Sequence, residues 1–172
     1  MKPQSRLAEQ DRDAPSSVAD LDAARADGQV ILADPTPVEL VWMEELRNHL
    51  RSPEVDVTSV HELSHLFDTY CLAWHAAIES DRWDPNYVIT ALGVALGDVL
   101  VAQSGGSRWM VTAGQSSTTV AVRNDLFRGT IFPVDAVARR WITAETRWMA
   151  PFIESMSVTL HRALTRSAIG RG

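Results

Sequence analysis

The sequence predicts a helix-rich α+β fold in which a small three-stranded antiparallel sheet packs against N-terminal helices and a long C-terminal helix. Three observations predict it. Helix-capping signatures followed by apolar residues three and four apart fill 36–104, alternation of period two takes over from Arg108 to Phe132, and helical spacing returns after Asp135. At 172 residues, 45% hydrophobic and 22% charged, the chain has the size and composition of one core.

Residues 1–35 carry no aromatic side chain and set Glu9, Asp11, Asp13, Asp20, Asp22, Asp27 and Asp34 among Ala, Ser and Pro. Such a segment buries too little surface to offset its ordering entropy, so it predicts a mobile acidic tail, with at most a transient helix over Ser17–Ala26 closed by Gly28. A single α+β domain is expected over 36–172.

The first helix starts at Thr36-Pro37-Val38-Glu39, where a Thr cap, Pro at the first helical position and Glu at the third form a capping box. Leu40, Met43, Leu46, Arg47 and Leu50 make its stripe, and Ser52-Pro53 ends it near Arg51. A second box, Ser59-Val60-His61-Glu62, opens a helix to about Ser80 with Val60, Leu63, Phe67, Tyr70, Trp74 and Ile78 facing inward. Asp84-Pro85 caps a third, carrying Val88, Leu92, Ala95, Leu96, Val99 and Leu100 and ended by Ser104-Gly105-Gly106. On it, Gly93 and Gly97 lie four apart and let a neighbour approach closely.

The sheet is then read as a hairpin of Arg108–Thr112 and Thr118–Arg123 about a Gly114–Ser117 turn, with Asn124-Asp125 leading to a short strand at Gly129–Phe132 closed by Pro133. Asp135 caps a short helix to Ile142. The last helix runs from about Pro151 to Thr165, with Phe152, Met156, Leu160 and Leu164 in line and Arg162 and Arg166 at the negative end of its dipole.

Composition excludes several chemistries. A net charge of -6 argues against a nucleic-acid partner, whose affinity comes from Lys and Arg displacing counterions. Fifteen of the sixteen basic residues are arginine, and the one lysine, Lys2, lies in the tail; a phosphate-loop lysine, a Schiff base and a kinase-type lysine are therefore missing from the folded part. The single cysteine, Cys71, cannot form an internal disulfide and points to a reducing, cytoplasmic setting. No apolar run follows the N-terminal charges as in a secretory signal, and Val88–Ala102 reads as too short and polar to span a bilayer, so a soluble protein is expected.

Four stretches carry a resemblance. Leu92-Gly93-Val94-Ala95-Leu96-Gly97-Asp98-Val99-Leu100, Trp109-Met110-Val111, Val120-Ala121-Val122 and Phe132-Pro133-Val134-Asp135-Ala136-Val137 resemble, in order and spacing, a bacterial family known as domain of unknown function 3806. The resemblance spans roughly Val57 to Leu164 and implies an α+β domain of a bacterial protein; it implies no reaction, cofactor or site residue. The chain departs from the family at Gly114-Gln115-Ser116-Ser117, which replaces a more acidic turn.

One motif carries chemistry by itself. His61-Glu62-Leu63-Ser64-His65 is an H-E-x-x-H, which on a helix sets two imidazoles one turn apart as zinc ligands and lets Glu62 polarise a bound water. A third ligand is harder to find. Asp68 stands where the longer zinc-peptidase motif has its helix-ending Gly, and Cys71 where its third ligand returns; both instead continue the helix. Glu79, fourteen residues past His65, lies about 21 Å further along a helix, leaving Asp98, Glu145 and Glu154 as remote candidates. In the competing reading Glu62 is a capping residue, and His61, His65, Asp68, His75 and Glu79 form one solvated stripe.

Ser104-Gly105-Gly106-Ser107 lacks the strand-Ser-helix order of a nucleophile elbow and reads as a loop. Of six tryptophans, Trp42, Trp74, Trp109 and Trp141 sit at core positions, whereas Trp83 and Trp148 are expected to be exposed and to mark a binding surface. The residues together favour a non-enzymatic accessory or protein-interaction module, with no cofactor and a protein as partner. A zinc-dependent hydrolase using His61, Glu62 and His65 is the alternative, and a small-molecule site between sheet and helices is a third class.

Overall fold

The computed structural model describes residues 31–113, 119–126 and 129–156. The elements run β1 (Ile31–Ala33), α1 (Pro37–Leu50), α2 (Val60–Ala76), a 3-10 turn (Glu79–Asp81), α3 (Asn86–Gln103), β2 (Ser107–Ala113), β3 (Val120–Asn124), β4 (Gly129–Ile131) and α4 (Pro133–Ile142), followed by helical turns over 149–156. The class is α+β.

Capping fixes where α1 and α2 begin. Glu39 accepts the Thr36 N–H at 2.8 Å and the Thr36 hydroxyl, and these bonds, the hydroxyl's first, hold its carboxyl below the usual 4.5. At α2 the Ser59 hydroxyl accepts the Glu62 N–H at 3.4 Å. Asp84 accepts the Asn86 N–H at 3.0 Å, so α3 is capped from just ahead of Pro85.

The centre of the core is α3. Eleven of its eighteen residues are buried, among them Leu92, Val94, Leu96 and Leu100, because neighbouring elements pack on most of its circumference. By length and a mean hydropathy of 1.4 this helix could cross a membrane, contrary to the reading of 88–102 as too short and polar. Its apolarity is accounted for by Met43, Leu46 and Leu50 of α1, Leu63 and Phe67 of α2, Val137 of α4 and Val111 and Val120 of the sheet, which share its core. Each such side chain contributes about 1.5–3 kcal/mol through burial.

Both glycines of α3 are points of close approach. A Cβ at Gly93 would lie 2.6 Å from Val134 Cα on α4, and one at Gly97 would overlap the Trp109 ring of β2.

The sheet has order β1-β2-β3-β4, four strands where the sequence predicts three. In the hairpin, antiparallel pairing runs from Ser107↔Asn124 to Val111↔Val120, and β4 pairs antiparallel with β3 at Val122↔Ile131. The unpredicted strand, β1, lies inside the expected tail. Three residues are too few to show alternation, and β1 forms because the other edge of β2 is free; Asp34, just after it, receives Arg108 Nη1 at 2.5 Å. The Gly114–Ser117 turn lies outside the described residues.

Three further expectations are corrected, and a fourth is described only in part. Helix α2 ends at Ala76 and not near Ser80, because Ala77 is extended and Arg82 turns back to donate to the His75 and Ala77 carbonyls. Ile78 and Leu40, expected in the core, are 67% and 49% exposed. Asp135 is not the cap of α4: Phe132 holds that place, Pro133 starts the helix and Asp135 stands in its first turn. Of the long C-terminal helix, 149–156 is helical, and the rest, with Leu160, Arg162, Leu164 and Arg166, lies outside the described residues.

Candidate functional site

The H-E-x-x-H residues sit on the first turns of α2. His61 and His65 are exposed one turn apart, and the Thr69 hydroxyl donates to the His65 carbonyl at 2.8 Å. Glu62 is already engaged: its Oε2 accepts the Asp56 N–H, so it closes the loop before the helix in place of the Ser59 N–H that a capping box uses. Asp56 accepts the Thr58 hydroxyl at 2.6 Å and the Thr58 N–H at 2.9 Å, and these bonds hold its carboxyl below the usual 3.8.

The remote ligand candidates lie in other surroundings. Asp98 on α3 accepts Arg47 Nε at 2.7 Å, Arg47 Nη2 at 2.8 Å and Trp109 Nε1 at 3.0 Å. Glu145 stands 3.8 Å from Arg140, and Glu154 is exposed. No three His, Cys, Asp or Glu among the described residues are grouped to hold a metal ion.

The Asp98 cluster is a polar lock joining α1, α3 and β2, and the bond to Asp98 raises the Arg47 guanidinium further above its usual range. Sequence reasoning placed Arg47 in an apolar stripe and Asp98 among stray carboxylates. The available signal was one opposite charge interrupting each of two apolar helix faces.

The polar stripe of α2 is only partly solvated. Asp68 accepts the Arg147 N–H with both oxygens, at 3.1 and 3.3 Å, and His75 Nε2 lies 2.6 Å from the Trp141 carbonyl oxygen. Glu79 falls beyond the helix, in the 3-10 turn. Asp68 and His75 thus bind α2 to the chain around α4. Cys71 between them is fully buried, and burial, assisted by the Asp68 charge, pushes its thiol above the usual 9.0.

Where α2 meets α4, the aromatic residues converge. Trp83 packs edge-on to Tyr70 and Trp141, with ring centroids 6.4 and 6.0 Å away, and its carbonyl accepts Trp74 Nε1 at 2.9 Å. The Arg82 guanidinium covers the Trp74 ring at 4.6 Å. Trp83 remains 41% exposed, as expected; Ile78 and Ile142, on the segments that meet here, are 67% and 76% exposed. Trp148 corrects its expectation. Arg147 is left-handed (φ 57°) with its N–H on Asp68, which turns Trp148 inward against Phe67 at 5.6 Å and under the Arg140 guanidinium.

The architecture defines a class: an α+β domain built around one buried apolar helix, with an antiparallel sheet locked to it by Asp98 and an aromatic corner open to solvent. Residues 70–152, just under half of the chain, match the domain of unknown function 3806 family (DUF3806). The match takes in the aromatic corner, α3, β2 to β4 and α4, and leaves out His61, Glu62 and His65; it is narrower than the 57–164 expected from the sequence. No curated protein and no solved structure matches the chain.

Proposed function

We propose that this domain is a non-enzymatic protein-interaction module of the cytoplasm whose partner-facing surface is the corner around Trp83. One observation carries the reading: Trp83 is exposed yet held in place by Tyr70, Trp141 and the Trp74 N–H, with exposed Ile78 and Ile142 on the adjoining segments. A fixed aromatic loses little side-chain entropy on docking, and apolar groups around it supply the buried centre that an interface needs. The zinc-hydrolase alternative keeps His61 and His65, both exposed, but requires Glu62 to leave the Asp56 N–H before it can act on water.

The test is affinity capture from the source cell with the wild type, Trp83→Ala, Ile142→Ser and a control at an exposed apolar position on α1, Val38→Ser. Proteins retained by wild type and control and lost by both corner variants are expected. Equal capture by all four, or peptide hydrolysis that His65→Ala abolishes, contradicts the proposal.

A further inference from the structure

The charges beside the corner point to the chemistry of its partner. Between Ile78 and Pro85 the chain presents Glu79, Asp81 and Asp84, all exposed, around Trp83. The one cation in that stretch, Arg82, is exposed but folded back along α2, with Nε on the Ala77 carbonyl at 3.2 Å, Nη2 on the His75 carbonyl at 3.3 Å and its guanidinium over the Trp74 ring. Two of its donors therefore serve the end of α2, and the three carboxylates of the stretch outnumber its single positive charge. On the α4 side Arg140 is drawn over Trp148, and Arg139 is exposed one turn before Ile142.

An apolar, aromatic centre with carboxylates along one side is complementary to a segment that carries apolar anchors flanked by Lys or Arg. Resting on the interaction reading above, we infer that the Trp83 corner docks a basic, apolar-anchored segment of another protein. The apolar side chains cover Ile78, Trp83 and Ile142, and the basic ones meet Glu79, Asp81 and Asp84. Rim charges of this kind act mainly on association rate and on the choice between partners, so binding weakens as salt screens them.

The experiment pans a random-peptide display library on the intact chain, then measures selected peptides on the wild type, on a double variant Glu79→Lys/Asp81→Lys and on Ile142→Ser. All three substituted positions are exposed, so folding is preserved, and far-UV circular dichroism checks it. Selected peptides are expected to be enriched in Lys or Arg beside apolar residues and to lose about tenfold in affinity on the double variant and on Ile142→Ser. Neutral or acidic selected peptides, an empty selection, or equal binding to the double variant overturns the inference. If binding depends on Ile142 and not on the carboxylates, the interaction surface stands and only its preference for a basic partner fails; independence from Ile142 sinks both.

Discussion

Gly93→Ala separates what helix propensity predicts from what packing predicts, because the two have opposite signs. In an isolated helix, alanine is favoured over glycine by about 1 kcal/mol. Here the new Cβ would meet Val134 at 2.6 Å from Cα, 2.7 Å from Cγ2 and 2.9 Å from N. Carbon atoms in contact sit about 3.5–4.0 Å apart, so α4 would have to withdraw by roughly 1 Å. A side chain could rotate away, but two of the three obstructing atoms are backbone, and moving them pulls buried Pro133 and Val137 from the core. Overpacking costs about 1–3 kcal/mol, with backbone obstruction at the upper end. After the gain in propensity a net loss of about 2 kcal/mol remains, which at a urea m-value of roughly 2 kcal/mol/M lowers the midpoint by about 1 M. Urea titration followed by circular dichroism and tryptophan fluorescence measures it. Gly105→Ala is the control: no atom lies within 4 Å of its Cβ, and a change within about 0.5 kcal/mol is expected. A Gly93→Ala variant as stable as the wild type would refute the close approach of α3 and α4.

Asp98→Ala leaves the Trp109 N–H without its acceptor and Arg47 with only Glu44, at 3.4 Å, in a half-buried site, and a loss of about 2–3 kcal/mol by urea titration is expected, with Asp98→Asn losing less. Ala144 is left-handed (φ 52°) where α4 ends, with Glu145 N–H on the Arg140 carbonyl and Ala144 N–H on that of Trp141; Ala144→Gly should gain about 0.5–1 kcal/mol, and a lower melting temperature would contradict the motif. Glu39 and Asp56 have lowered folded pKa values, so their contribution is present above the unfolded values of about 4.5 and 3.8 and is lost as pH falls through the folded ones; Glu39→Gln should flatten the acid limb of a stability-pH curve. Cys71 should resist iodoacetamide at pH 8 in the native protein and react on unfolding; fast native labelling would show the thiol accessible. Elemental analysis of tag-free protein, with His61→Ala and His65→Ala beside it, should show no bound zinc that either variant removes; near-stoichiometric metal lost in both would promote the hydrolase alternative.

Local signals were enough for most of the fold. The Thr36 capping box and the Ser59 cap place the starts of α1 and α2, and the switch from period 3.6 to period 2 at Arg108 locates the hairpin, because caps and alternation depend on neighbours a few residues away. Gly93 and Gly97 announced a close approach for the same reason: only a missing Cβ permits one. What the sequence could not show depends on pairings across the chain. Strand β1 exists because β2 offers a free edge, and Ile78 leaves the core because Arg82 turns back onto the end of α2. Trp148 is buried because Asp68 holds the N–H of Arg147, 79 residues further along the chain. The candidate site divides in the same way. Exposure of Trp83 followed from its place beside Asp84-Pro85, but its fixed orientation rests on Tyr70 and Trp141. Tertiary structure alone joined Arg47 to Asp98, and the path of the loop before α2 set Glu62 against Asp56, since a polar side chain's partner is whichever group the fold brings within about 3 Å.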